Sequence, residues 1–443
     1  MSIPSAGDRI GALPLRVVAE IGFTVFVIYL LSGGPHGWLG DAAAASGSSV
    51  EGNPRLQGLL ALLYLTSLLI GLTRPRTWIR AAKSDLALVA LIGLTLASVI
   101  WSEAPDLTLV RGLALLGTSF FGVYFALRYP PESQLRLLCL GLGLVVIYNA
   151  ILALTQLGVV SAGSFRGSFD HKNSLAKMMT LATAAFLCAA GERRGRLLAV
   201  MLATVSFSLV VFAGSATGLV VVLTLVAIFP FLRLLRADVR LVVVLGIAAV
   251  LVLGIGALAV PQVVALLAPA LGRDVTLTGR TEVWPVLIAM FLQRPWLGYG
   301  YSAFWSGDST LGTSWQPTQA HNGFLEVALA LGLVGLVIFV VMYARGVMRA
   351  LLLVRREGQA ASFWPLMYFG YVLLYNITEA TVLGRNNILW VLFVSGLITV
   401  SPGWHRGGGS RARIAGRARS RDPRALASSR EPVTPICDYG GNA

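Results

Sequence analysis

Long apolar stretches separated by short polar connections run along most of this chain, beginning near Arg16, Leu56, Leu86, Leu107, Leu135, Ser174, Leu197, Thr217, Leu241, Asn322, Ser362 and Asn387. A helix crosses the hydrocarbon core of a bilayer with about 20 apolar residues, and about twelve stretches approach that length, some of them only about 16 to 18 residues long. The pattern predicts an all-α polytopic membrane protein with about twelve transmembrane helices. One interruption is far longer than the rest, because residues 261–320 hold no full apolar span. Within it Val283, Leu287, Ile288 and Phe291 recur at helical spacing, which predicts a short amphipathic helix over residues 281–292. Arg294-Pro295-Trp296-Leu297-Gly298-Tyr299-Gly300 then ends it with Pro and Gly. The aromatics Trp296, Tyr299, Tyr301, Phe304, Trp305 and Trp315 either anchor this loop among lipid headgroups or stack on sugar rings. A single long loop among many short ones is a layout for a site on that face.

Charge sets the direction of the spans. Hydrophobic residues make up 56% of the 443 residues and charged ones 12%, a balance that keeps no water-soluble fold monomeric. Alternate connections carry Arg74, Arg76, Arg80 and Lys83; Arg128 and Arg136; Arg193, Arg194 and Arg196; Arg233, Arg236 and Arg240; and Arg345, Arg349, Arg355 and Arg356. By the positive-inside rule these connections are cytoplasmic. Counting the spans puts both termini in the cytoplasm and residues 261–320 on the other face. Residues 1–401 form the membrane domain, and the Arg-rich stretch 402–443 has no apolar periodicity and is expected to be a disordered basic tail. The net charge of +15 follows from topology and anionic lipid, so no nucleic-acid partner is expected. Cys139, Cys188 and Cys437 have neither metal-ligand spacing nor a disulfide pattern. No cleavage site follows the first apolar run, which is expected to be a retained helix.

The scarce polar residues gather where the chain meets the non-cytoplasmic face. His321 stands before a predicted helix, beside Asn322, with Glu326 on about the same face one turn later. An imidazole takes a proton from an alcohol near neutral pH, and a neighbouring carboxylate fixes its tautomer; the structural alternative is that His321 and Asn322 cap the helix. Arg280 is expected near the positive end of the short loop helix, a place that suits phosphate oxygens of a substrate or of lipid. Residues 165–173 pack Arg166, Asp170, His171, Lys172 and Asn173 between two spans, with Lys177 a turn further on. Such charge is costly in lipid unless it faces a polar cavity, although Asp170 can also pair with Lys172. Arg385 and Glu379, between the last two spans, and Arg111, inside the fourth, either line the same cavity or form structural ion pairs. The chain has no phosphate-binding P-loop, G-x-S-x-G, H-E-x-x-H or external paired carboxylates. The expected chemistry relies on Arg and His, with no metal and no cofactor.

Three stretches together resemble the O-antigen ligase and polymerase superfamily of bacterial envelope glycosyltransferases. They are Arg166-Gly-Ser-Phe-Asp-His171-Lys-Asn173-Ser-Leu-Ala; Gly279-Arg280 with Trp284 and Pro295-Trp-Leu-Gly298-Tyr-Gly300; and His321-Asn322-Gly-Phe-Leu-Glu with Gly332 and Gly335. The resemblance extends over about residues 101–390. It implies a GT-C-like membrane glycosyltransferase of the bacterial inner membrane. The implied reaction is a metal-independent, inverting transfer of glycan from undecaprenyl diphosphate to an acceptor sugar hydroxyl in a periplasmic cavity roofed by the long loop. Carried onto this chain, Arg166 and Arg280 would hold the diphosphate and His321 would orient or deprotonate the acceptor. His171, Lys172, Asn173, Asn322, Glu326 and Arg385 would line the substrate site. Residues 169–174 and the stretch Asn376 to Trp390 look more like exopolysaccharide polymerases than lipid A-core ligases. Implied partners are the lipid-linked oligosaccharide, an acceptor glycan, membrane lipids, a chain-length regulator and a flippase. A lipid-linked oligosaccharide transporter is the competing class; it would need a polar path through both leaflets, whereas the charges here cluster at one face.

Overall fold

Prolines and short polar residues set where the helices begin. Pro54, Pro75, Pro105 and Pro131 each occupy a first helical turn, where the missing N–H costs nothing. Asn53, Asn322 and Asn387 accept backbone N–H groups of the turns that follow them, as N-caps do. The computed structural model describes residues 14–34, 53–155, 159–161, 164–192, 195–234, 280–306, 318–357 and 360–402. In chain order the helices are α1 (Leu15–Leu31), α2 (Pro54–Leu72), α3 (Pro75–Ser84), α4 (Leu86–Ala97), α5 (Pro105–Arg128), α6 (Pro131–Leu154), α7 (Lys172–Ala189), α8 (Arg196–Ala213), α9 (Ala216–Leu234), α10 (Arg280–Gln293), α11 (Gly323–Arg356), α12 (Phe363–Asn376) and α13 (Ile388–Thr399). Every span start expected from the sequence falls within four residues of one of these, except that near Leu241, which lies outside the described residues. The tail, residues 403–443, and parts of the long loop, 261–279 and 307–317, also lie outside them.

Among the described residues, five helices (α2, α5, α6, α8 and α11) are long and apolar enough to cross a membrane. The pair α3 and α4, bent by 92°, would make a sixth. This is a multi-pass α-helical membrane protein; of the about twelve apolar stretches expected, several are short ones and the one near Leu241 lies outside the described residues. Two of the shorter apolar helices are core elements: α12 has 14 residues and α13 has 12, and both are packed inside the bundle. Every residue of α13 is buried, so its uniform hydrophobicity reflects a core position rather than lipid contact. The lipid-compatible surface lies elsewhere, on exposed leucines such as Leu62, Leu65 and Leu69 of α2. Helix α7 packs against α6, α8, α9 and α12, while α5 lies between α2 and α13. A small antiparallel hairpin, β1 (Val159–Ser161) with β2 (Ser164–Gly167), interrupts the all-α pattern just before α7. The apolar runs gave no sign of so short an element.

The longest helix is broken where the site needs it to be. Gly332 in α11 has φ 66° and ψ −167°, a conformation open to glycine. The break frees backbone groups of α11, and the Pro295-to-Gly300 segment takes them up. Tyr299 and Gly300 donate their N–H groups to the carbonyls of Leu329 and Ala330 (2.9 and 3.0 Å), and the N–H groups of Leu333 and Val334 donate to Pro295 and Trp296 (2.7 and 3.3 Å). A Cβ on Gly332 would overlap the Trp296 carbonyl, and one on Gly298 would crowd that of Leu329. The Pro-Trp-Leu-Gly-Tyr-Gly stretch is therefore a backbone splint that stitches the loop after α10 into α11. Buried backbone groups need partners, and here each side supplies the other's.

Candidate functional site

One end of the bundle collects the starts of α7, α11 and α13, the end of α12, and the loops 298–306, 318–322 and 377–387. Among the described residues, four non-glycine residues have positive φ: Ser302 (56°), His321 (49°), Leu383 (54°) and Asn386 (53°). All four lie in these loops. Such conformations are uncommon and persist where neighbours over-determine them. The neighbours are explicit. The carbonyl of Ser302 accepts Arg111 Nη1 (2.8 Å) and its Oγ accepts Arg385 Nη1 (3.1 Å). Tyr301 Oη donates to the Leu383 carbonyl at 2.6 Å, and Asn386 accepts from Tyr64 Oη and donates its N–H to Thr118.

His321 sits between two frames. On its N-terminal side the Ala320 carbonyl accepts Trp284 Nε1 (3.0 Å) and the Ala320 N–H donates to Glu326 Oε2 (2.8 Å). On its C-terminal side Asn322 Oδ1 accepts the N–H groups of Phe324 and Leu325, both at 3.0 Å, and its Nδ2 donates to the Ile377 carbonyl. Asn322 is thus the helix cap, and His321 is held outside the helix with its ring turned elsewhere. Its Nδ1 lies 3.3 Å from Glu379 Oε2. Glu379 Oε1 accepts Asn173 Nδ2 at 3.3 Å, and Ser215 Oγ donates to Asn173 Oδ1 at 2.9 Å. Gln319 Nε2 donates to Glu379 Oε2 at 3.4 Å. His171, Asn173, Gln319, His321 and Glu379 thereby form one cluster. Glu379, Lys172, His321 and Lys177 all act electrostatically on His171, whose pKa is lowered chiefly by burial. His171 Nδ1 accepts the Asn173 N–H (3.1 Å), so the neutral ring carries its proton on Nε2.

The remaining expected site residues are distributed as follows. Glu326 was expected beside His321, yet its Oε1 accepts Trp305 Nε1 (2.7 Å) and its Oε2 accepts the Ala320 N–H. The carboxylate on the imidazole is that of Glu379, because His321 precedes the cap and does not share the helix face of Glu326. Arg166 lies on β2, its Nη1 donates to the Asp170 carbonyl (2.8 Å), and its Nε is buried without a hydrogen-bond partner. The hairpin is braced by Asn149, which accepts from the Ser168 N–H at 2.9 Å. Arg280 opens α10, one turn before Trp284, whose indole reaches the residue preceding His321. Burial pushes the pKa of Arg385 down to about 10, and it reaches Ser302 rather than the His321 cluster. Tyr299, Tyr301 and Phe304 are buried, which overturns their expected role as membrane anchors or sugar platforms. Trp296 is 67% exposed, as an anchor or sugar platform requires, and Trp315 lies outside the described residues. Glu379, which the sequence offers as a cavity-lining or ion-pairing residue, holds the centre of the cluster, and Gln319 and Ser215 join it without a sequence signal of their own. A carboxylate expected at a membrane face is the one available signal.

Two comparisons with known proteins bear on this arrangement. A model of the O-antigen ligase family matches residues 179–340. The chain is also 26% identical over 266 residues to the exopolysaccharide production protein ExoQ of Rhizobium meliloti (strain 1021), an alignment covering 54% of this chain and 59% of that relative. The family match contains Arg280, His321, Asn322 and Glu326, and stops short of Arg166, the His171-to-Asn173 stretch, Glu379 and Arg385. Both comparisons support the superfamily resemblance carried by the sequence motifs.

Proposed function

We propose that this chain, similar to the O-antigen ligase and polymerase superfamily, is a membrane glycosyltransferase that polymerises lipid-diphosphate-linked polysaccharide repeat units at the periplasmic face. The observation that carries the reading is the His321 cluster. A strained histidine faces a buried carboxylate at the bundle end where Arg166, Lys172, Lys177 and the helix opened by Arg280 also lie. In the proposed reaction the acceptor hydroxyl attacks the anomeric carbon of the donor. A new glycosidic C–O bond forms, the bond from that carbon to the diphosphate oxygen breaks, and the lipid diphosphate leaves with the electron pair. His321 takes the hydroxyl proton on Nε2, since Nδ1 is turned to Glu379. Arg166 and Arg280 stabilise charge developing on the departing diphosphate, for which the planar fork of Arg suits phosphate oxygens. The donor lipid is undecaprenyl diphosphate and the configuration at the anomeric carbon inverts.

The similarity to an exopolysaccharide production protein favours the polymerase reading. The family description favours a second one, an O-antigen ligase that transfers finished glycan to lipid A-core. Purified protein given lipid-diphosphate-linked repeat units in the presence of chelator separates the two. A ladder of longer lipid-linked glycans that His321→Ala abolishes supports polymerase. Transfer only after a lipid A-core acceptor is added supports ligase, and neither product from folded protein sinks both.

A further inference from the structure

We infer that Glu379 is a positioning residue that fixes the tautomer and orientation of His321, an assignment that rests on the glycosyl-transfer reading above. The geometry is specific. Glu379 is a buried carboxylate, its side chain 3% exposed, and its Oε2 lies 3.3 Å from His321 Nδ1. Its backbone is fixed to the end of α12 by the Glu379 N–H to Tyr375 carbonyl bond of 2.8 Å. The turn that carries it is closed by Asn376, whose Nδ2 donates to Thr381 Oγ1 and whose Oδ1 accepts the Thr381 N–H. Gly323, the first residue of α11, packs so closely on Asn376 that a Cβ there would overlap its amide. The two turns that carry His321 and Glu379 are therefore locked to one another through backbone and amide contacts, independently of the ion pair itself.

A carboxylate this deeply buried is costly unless hydrogen-bonded, and Asn173 and Gln319 supply donors. A glutamine there would keep an acceptor oxygen for one of these two donors and turn its amide nitrogen to the other. What the negative charge adds is directed at the imidazole. A carboxylate facing Nδ1 favours the tautomer that carries its proton there, which leaves the Nε2 lone pair for an incoming hydroxyl. It also stabilises the imidazolium formed once that proton arrives. The 3.3 Å contact is an ion-pair approach without hydrogen-bond geometry, and catalytic contacts commonly tighten as substrate binds. Glu326 is engaged elsewhere, its two oxygens accepting Trp305 Nε1 and the Ala320 N–H. The other charged or titratable groups facing the cluster are Glu326, His171, Lys172, Lys177 and Tyr375. Glu379 itself acts on His171 and raises its pKa, so the test is also run in a His171→Asn background, where that titration is absent.

The test compares the wild type, Glu379→Gln, Glu379→Asp and His321→Ala by initial rates of glycan extension between pH 5 and 9. Binding of the lipid-linked donor is measured alongside. In Glu379→Gln the expected result is a fall in kcat of about 10²-fold or more, with KM for the donor nearly unchanged. Its acid limb should move to lower pH, because the imidazole loses the opposite charge that favours its protonated form. Glu379→Asp should restore the acid limb to its wild-type position with kcat still reduced, since the charge stays and the oxygens retreat. An unmoved acid limb and undiminished kcat in Glu379→Gln overturn the inference. Should Glu379→Gln not fold, Glu379→Asp decides alone: lowered kcat with unchanged donor binding supports positioning, and wild-type kcat overturns it. Full extension by His321→Ala defeats the parent reading instead, a different outcome from any of these.

Discussion

At the end of the bundle away from His321, carboxylates meet guanidiniums. Glu20 of α1 pairs with Arg128 at the close of α5, within reach of Tyr124. Asp85, the cap of α4 and 1% exposed, lies 3.0 Å from Arg349 near the far end of α11. At the His321 end the buried carboxylate, Glu379, meets an imidazole and two amides, while the guanidinium pair there, Arg294 with Glu103 at 2.9 Å, is about half exposed. The first kind of pair joins two helices through a guanidinium. The second joins three loops through an imidazole, a ring that can both donate and accept a hydrogen bond. Backbone strain follows the same division, since all four positive-φ non-glycine residues among those described lie at the imidazole end. The contrast teaches that a buried carboxylate is no functional signal by itself. Its partner and the backbone around it decide.

The strongest way to break this comparison is to remove one member at each end. His321→Ala should lower glycan extension by about 10²- to 10⁴-fold, with the amount of folded protein and its thermal midpoint close to wild type. Asp85→Ala should do the reverse. It leaves the partly buried Arg349 with only the Ser84 carbonyl, a loss of about 1–3 kcal/mol in stability, while the rate per folded molecule holds. Extension assays and thermal unfolding in the same detergent measure both. If Asp85→Ala lost turnover without losing stability, the division between the two ends would not stand.

A comparable effect on stability tests whether the splint between the Pro295-to-Gly300 segment and α11 belongs to the functional end. Gly332→Ala puts a Cβ against the Trp296 carbonyl at a positive φ, so strain of about 1–3 kcal/mol is expected. The splint also positions Tyr301 and Ser302, which bind Leu383, Arg111 and Arg385. Turnover should therefore fall alongside stability, unlike in Asp85→Ala. Unfolding and extension rates on the one variant show whether the two move together.

Much of the scaffold was legible in the sequence because helix starts are local. Apolar runs, the prolines of first turns and the Asn caps lie within a few residues of what they determine. The motifs around Arg166, Arg280 and His321 were legible too, as a resemblance. What was hidden depends on partners distant in the chain. Glu326 looked like the companion of His321 because helical spacing joins them, yet the left-handed backbone at His321 precedes the cap and takes the ring off that face. Glu379 lies beyond the whole of α11 and α12, and no periodicity connects it to His321. Gly298 and Gly332 could each be read as a breaker, but not as the two halves of one backbone contact. The aromatic cluster of the long loop misled for a related reason: composition marks Tyr299, Tyr301 and Phe304 as amphipathic or apolar without saying that they turn inward.

The smallest expected effect sharpens the comparison from within the imidazole end, where His171 and His321 differ in duty. His171 Nδ1 accepts the Asn173 N–H and so caps α7, a role open only to the neutral ring, because a protonated imidazole has no acceptor. Burial lowers its pKa below the ordinary histidine value, with Lys172, His321 and Lys177 acting in the same direction and Glu379 opposing them. The folded protein then binds fewer protons than the unfolded chain as pH falls through about 6.5. Stability should be full above that pH and decline below it, toward the lower folded-state value. The loss should amount to about 1 kcal/mol or less, the usual worth of a cap. His171→Asn keeps a capping oxygen and removes the titration, so its thermal midpoint should fall less between pH 7.5 and 5.5 than that of the wild type. An equal fall in both proteins would show that His171 carries no part of the acid response, and His321 or Glu379 would then be the groups to vary.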